Sequence, residues 1–467
     1  MSKMVSVVHG QRRGRVRVTV VAGFGLVALL AACGGTPDTG DPTSAGETSA
    51  AQGGGGLSGN ITFWHSFTQG PRAEYMERMA AEFESAHPDV DITIETFAWP
   101  EFYTKWTTGL GAGQVPDIST ALPNHVVEMI NAGALVPIDD VIDSIGRDRF
   151  SESALVEGSN DGANYSIPIY SHAQVMWYRA DLLDAAGLDV PETWDELAEA
   201  AAALTEGDVY GLSVPLGSGD MMGTRYLNFY VQSAGETLIA DDGRANLTSP
   251  AALEGIQYWV DAYRSTSPEG SINYGVLDQA TLFYQGKTAF DFNSGFHISG
   301  VAGATPELLD YIAAAPLPRL AGSDELYGGE TSNIPIVVWA DSDVEAESKA
   351  FLEFLYNDDD YIDFLHSVPG GMLPALSDIS ENPAYQDDDT MRQFADSIAV
   401  IEAAVPMGTA IGMESGPALQ SGIITSQGVV ERMFQDIILK GTAVADAAAA
   451  AEAELNSLFE AAGAELG

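Results

Sequence analysis

The sequence holds a single cysteine, Cys33, in 467 residues. A lone thiol cannot form a disulfide within its own chain. Basic residues are scarce as well: 20 Lys and Arg stand against 67 Asp and Glu, a formal charge of −47. That balance excludes nucleic acid as a natural partner. It also disfavours a polyanionic substrate or direct adhesion to anionic lipid, unless a local basic pocket overrides the global field. Histidines number seven, at 9, 65, 87, 125, 172, 297 and 366, with no pair three or four apart, which argues against a zinc site. Asp358-Asp359-Asp360 and Asp387-Asp388-Asp389 lack the alternating ligands and glycine of a calcium loop and read as hydrated loops. Nucleotide chemistry is missing too: Gly286-Lys287-Thr288 has Thr281 where a phosphate loop needs glycine, and Gly109, Gly111 and Gly113 are wrongly spaced for a dinucleotide fingerprint. No Gly-x-Ser-x-Gly nucleophile elbow occurs, so neither a catalytic residue nor a cofactor is expected. A glycosidase pair of carboxylates is a spatial property that counting cannot exclude.

What is present begins at the N-terminus. Lys3, Arg12, Arg13, Arg15 and Arg17 precede the apolar run 18–30, which closes on small residues before Cys33. That is the pattern of a bacterial export signal over 1–32, too short in its apolar part for the roughly 20 residues of a membrane-spanning helix. Arg12-Arg13 fits the twin-arginine motif poorly, and the general secretory route is the default. Leu30-Ala31-Ala32-Cys33 resembles a lipobox, which implies a lipidated Cys33 and an extracytoplasmic protein held to the membrane through that anchor only. Residues 34–56 are almost entirely Gly, Thr, Ser, Pro, Ala, Asp and Glu, a composition that cannot bury a core, so 33–57 reads as a tether. The remaining 410 or so residues exceed what one core supports, and two close-coupled lobes are expected.

Within the body, the segment around Ile61 and Phe63 reads as a strand, and Pro71 opens a helix whose Met76, Met79, Ala80 and Phe83 share one face. Val90, Ile92 and Ile94 alternate as a second strand after Pro88. Such a strand–helix–strand unit predicts a parallel sheet covered by helices, an α/β fold. Thr193 with Glu196, and Ser342 with Glu345, have capping-box spacing, and Ser249-Pro250 looks like an N-cap and first helical position.

Ordered segments of this body resemble the carbohydrate-binding solute-binding proteins of ATP-driven (ABC) importers, the group of the maltose- and glycerol-3-phosphate-binding proteins. The resemblance is carried by Ile61-Thr62-Phe63-Trp64-His65-Ser66, by Gly113-Gln114-Val115-Pro116-Asp117-Ile118, and by Tyr165-Ser166-Ile167-Pro168. It continues in Trp177-Tyr178-Arg179-Ala180-Asp181, Ala186-Gly187-Leu188, Pro191-Glu192-Thr193-Trp194-Asp195-Glu196-Leu197, the stretch 283–290, Gly328-Gly329 and Gly371-Met372-Leu373-Pro374. It implies a periplasmic-binding-protein-like fold of two α/β lobes, 58–168 plus 326–356 and 169–325 plus 357–467, hinged around a ligand cleft. It also implies a non-catalytic monomer that takes a carbohydrate ligand and delivers it to ABC importer permease subunits. Glycerol-3-phosphate or phosphodiester binding by the same machinery, an exported carbohydrate-active enzyme and a sensor subunit are the alternatives.

Sugar clefts combine aromatic faces with hydroxyl, amide and carboxylate groups, collected on loops at the carboxyl ends of parallel strands. His65 and Ser66 follow the first strand, and Trp64 is divided between cleft and core. Trp99 follows the second strand. Tyr170 and His172 follow the first expected hinge crossing, where similar proteins place ligand contacts. Phe296 stands where many relatives carry a stacking tryptophan, with Asn293 and Ser294 just before it, and Gly328 and Gly329 could bring backbone N–H groups to a ligand or merely turn the chain. For a phosphate-bearing ligand, Arg225 is the basic residue to test.

Overall fold

The computed structural model describes residues 56–68, 70–464 and 466. The export signal, the lipidated Cys33 and the tether up to residue 55 lie outside the described residues.

Gly59–His65 (β1) and Val90–Thr96 (β2) pair in parallel from Gly59↔Val90 to His65↔Thr96, joined by the helix Pro71–Ala86. Tyr75, Met76, Met79, Ala80 and Phe83 are the buried residues of that helix, the stripe the sequence predicts with Tyr75 added. Ile118–Thr120 (β3) pairs with β1 in parallel. After the short hairpin Ser159–Asn160 (β4) and Ala163–Asn164 (β5) comes Ser166–Ala173 (β6), then Val175–Arg179 (β7), Phe290–Asn293 (β8) and Ile312–Ala315 (β9). Thr331–Val338 (β10) and Leu373–Pro374 (β11) follow.

The strands form a six-stranded sheet, β11-β6-β10-β3-β1-β2, and a separate three-stranded one, β8-β7-β9. The larger sheet is mixed, since β10 runs antiparallel to both neighbours, β3 and β6, and is buried at every position. Pro335 sits inside this central strand at the point where its register with β6 shifts, which is where a residue without an N–H is tolerated. The chain leaves the larger sheet at Gln174, between β6 and β7, and returns between β9 and β10.

Side-chain alternation along β1 supplies both faces of the larger sheet. Phe63 joins the layer containing Ile118, Ile336 and Phe351. Trp64 joins the other, with Trp106, Val337 and Trp339. Around the smaller sheet, Trp194, Tyr226, Trp259 and Phe292 form a third core.

The capping box at Thr193 is formed in full, and Ser249 accepts the N–H of Ala252 at the start of Pro250–Thr266. Ser342 departs from expectation: it lies ahead of the N-cap Val344, accepting that residue's N–H while donating to Asp117 Oδ1 at 2.6 Å. Of the two aspartate runs, the first is helical, whereas Asp387 and Asp388 of the second lie between helices as expected. Asp358-Asp359-Asp360 form the first turn of Asp358–His366, where carboxylates meet the positive end of the helix dipole, and Asp388 caps Asp389–Gln393.

Candidate functional site

Because β1, β2 and β3 are mutually parallel, their carboxyl ends point to one edge of the larger sheet. The segments leaving them carry Pro71 and Arg72, then Trp99, then Leu122 and Asn124, to one wall of a cavity of about 700 Å³. The opposite wall comes from the segments around the smaller sheet, including Met221, Tyr284, Asn293, Ser294 and Phe296, with Tyr170, His172 and Gln174 at the crossing between sheets. A volume of this order suits a small-molecule ligand.

Six of the candidate sugar contacts singled out from sequence meet here: Trp99, Tyr170, His172, Asn293, Ser294 and Phe296. Trp99 is the first residue of the helix Trp99–Ala112, not part of a loop. Tyr170 lies 6.1 Å, ring centre to ring centre, from Phe296, and the His172 ring stands edge-on to Phe296 at 6.0 Å. Asn293 is fixed by its own turn, its Oδ1 accepting the Ser294 N–H, while the Ser294 carbonyl accepts the indole N–H of the fully buried Trp177 at 3.0 Å.

Trp64, His65, Ser66, Gly328 and Gly329 are not on the cavity wall. Trp64 is packed against Phe97 at 5.4 Å, beneath the Lys105 ammonium. His65 is two residues after Phe63 and therefore shares its core-facing side of the strand, its ring tilted against those of Phe63 and Phe67. Its Nδ1 accepts the Phe67 N–H, and Ser66 is buried beside it. At Gly328 the backbone crosses another segment so closely that a Cβ would lie 2.1 Å from the Gly408 nitrogen, and Gly329 takes a left-handed φ of +59°. Both glycines are there for chain geometry.

Arg225 does reach the wall, but its guanidinium is paired with the buried Glu330, Nη2 to Oε1 at 2.9 Å and Nε to the other oxygen. It is not free to take a phosphate. Among the described residues lining the cavity Asp220 is the single acid, and its oxygens accept the backbone N–H groups of Met221 and Val276. The pair of facing carboxylates that a glycosidase needs is therefore not found among them.

Sequence reading missed Arg72, Gln174 and Asp220. Arg72 follows directly on the Pro71 helix start, a visible signal; Gln174 and Asp220 carry none.

Burial sets the charge state of the nearby imidazoles. Desolvation, with the Arg72 charge, pushes His65 down to about 4, and desolvation with Arg225 and Arg72 pushes His172 down to about 3. His125 falls to about 4 by desolvation alone, whereas the same cause raises Glu128, Glu157 and Glu431 to about 7. As pH falls below 6.5 the unfolded chain protonates histidines that the fold keeps neutral, so stability is lost down to the folded values near 3 to 4. The carboxyls protonate in the folded state below about 7 but in the unfolded chain only near 4.5, so over that window they add stability as pH falls. The two sets oppose each other, and the urea midpoint at high salt is expected to change little between pH 7 and pH 5. Glu431→Gln removes one gain. Its midpoint should fall on acidification, and an unchanged profile would refute the assignment.

Two sheets of α/β character with a cavity of small-molecule size at their crossing are the architecture of a ligand-binding cleft. The chain belongs to the bacterial extracellular solute-binding protein family, whose model matches residues 69–362. Binding rather than catalysis follows from that membership. A protein of Brucella abortus described as a binding protein is 26% identical over 381 residues, covering 79% of this chain and 89% of its own. The arabinooligosaccharide-binding protein of Halalkalibacterium halodurans is 24% identical over 351 residues, 72% and 75% of the two chains. A solute-binding protein of Thermotoga lettingae solved with α-D-tagatose superposes with a TM-score of 0.76 at 20% identity, over 86% of this chain and 100% of its own. The fold is that of the periplasmic binding proteins.

Proposed function

We propose that this chain is the sugar-capturing component of an ABC importer, held outside the cytoplasm by a lipidated Cys33. The observation that carries the reading is the set of rings Trp99, Tyr170 and Phe296 on one cavity with the amide of Asn293 and the imidazole of His172. Ring faces stack on the C–H face of a pyranose, and amide and imidazole groups hydrogen-bond its hydroxyl rim. Relatives named for maltotriose, arabinooligosaccharide and lactose binding support it. Residues 58–168 plus 326–356 would form one lobe and 169–325 plus 357–467 the other. A ligand touching both lobes favours the closed form, which the permease subunits read.

Calorimetric titration of the purified protein with mono- and oligosaccharides tests the reading. At least one sugar is expected to bind with micromolar or tighter Kd, an order typical of a preformed pocket. Tight binding of a peptide or metal with no sugar bound would sink it.

A further inference from the structure

The cationic side chains of this protein are nearly all neutralised. Of the 15 Lys and Arg residues among those described, 12 form ion pairs with Asp or Glu. With 67 acids in the chain, that is the expected condition of a cation. The exceptions are Arg264, exposed in the last turn of its helix, Lys287, away from the cavity, and Arg72.

Arg72 is on the cavity wall. Its guanidinium lies 5.2 Å from the ring centre of Phe67 and 4.9 Å from that of Phe296, a ring from the opposite wall. Ring faces stabilise the plane of a guanidinium but do not accept its N–H groups in the way a carboxylate does, and the side-chain hydrogen bond of Arg72 is to the neutral hydroxyl of Tyr170. The rest of the cavity adds to the imbalance. Asp220 is occupied by two backbone N–H groups and Arg225 by Glu330. His172 is held neutral, and its Nδ1 is buried without a partner. Gln174, only 2% exposed, lines the cavity with its side-chain oxygen unpartnered, an acceptor for a sugar hydroxyl rather than for the acidic group. Finally, the helices beginning at Pro71, Met222, Val276, Phe296 and Val429 all bring their N-termini to this cavity, each the positive end of a helix dipole.

From these observations we infer that the ligand is an acidic sugar, whose carboxylate forms a two-pronged pair with the guanidinium of Arg72. The inference rests on the sugar-binding reading above and narrows it. A planar carboxylate of single charge matches one unpaired guanidinium in both geometry and charge, whereas a phosphate dianion would need a second cation that Glu330 has already taken. The strongly acidic surface does not forbid such a ligand, because the local field in the cavity has the opposite sign.

The test is a matched titration of the purified protein with galacturonate and glucuronate mono- and oligomers, the neutral galactose and glucose counterparts, and the corresponding sugar phosphates. A uronate is expected to bind about 10- to 100-fold more tightly than its neutral parent, the range of a charge-assisted pair. Arg72→Gln should bring that ratio close to one, while Arg264→Gln, on an exposed helix end, leaves it intact. Circular dichroism of each variant separates loss of the pair from loss of the fold. Equal or tighter binding of the neutral parent, a preference for phosphate over carboxylate, or an unchanged ratio in Arg72→Gln overturns the inference while leaving sugar binding in place. Failure of every sugar, acidic or neutral, overturns the sugar-binding reading and this one with it.

Discussion

Glu330→Ala is expected to lower folding stability by about 3–5 kcal/mol, the cost of leaving one charge of a buried pair without its partner. Glu330 is 1% exposed and Arg225 8%, and the guanidinium would retain only the contact of its Nη1 with Met222 Sδ at 3.1 Å. The pair joins the helix Met222–Ser233 to the segment that leads into β10, so the loss falls on the passage between the two sheets. Replacing both partners with apolar residues of similar volume should cost less than the single change, because no stranded charge is left. Urea unfolding of the two single variants and the double variant measures the coupling. A single-variant loss under about 1 kcal/mol would mean that water reaches the pair and that it behaves as a surface bridge.

Gly295→Ala is expected to weaken ligand binding by about 5- to 150-fold, the effect of 1–3 kcal/mol of overpacking directed at the site. A Cβ at Gly295 would lie 1.8 Å from the Gly370 carbonyl oxygen and 2.6 Å from its carbon. Two backbones would have to separate, and the one that carries Gly295 begins the helix holding Phe296 against Tyr170. Gly303→Ala, in the same helix, provides the control. Nothing lies within 4 Å of its added methyl, and alanine should gain about 1 kcal/mol or less of helix propensity with binding unaltered. If Gly295→Ala binds sugar as well as the parent protein, Phe296 is not the ring that positions the ligand.

Local patterns in the sequence translated well into structure. The stripe on Pro71–Ala86, the parallel pairing of β1 with β2 and the Thr193 cap each depend on residues close together in the chain, and each is present. His65 shows where a local rule was available but a different one was applied. Its position after the first strand suggests the cleft, yet its separation of two from Phe63 assigns it to the core side, and strand alternation decides where its ring goes. Ser342 has the right spacing from Glu345, but Asp117, far away in sequence, takes its hydroxyl. Arg72 is the clearest case of information absent from local sequence. An arginine beside a helix start is easy to see; that no carboxylate reaches it can be known only once every other chain segment is in place.

The central position of β10 bears on how the protein is made. Its ladder partners, β3 and β6, end at residues 120 and 173, and β10 itself does not begin until Thr331. As the chain grows from its N-terminus, some 160 residues must therefore follow β6 before the middle of the larger sheet can be filled, and both flanking edges wait unpaired in the meantime. Pairings of such long range are entered slowly. The smaller sheet has all its strands by Ala315, but the core around Trp259 also takes Val430, Phe434 and Phe459, so this half of the molecule is closed later still, by segments made after β10.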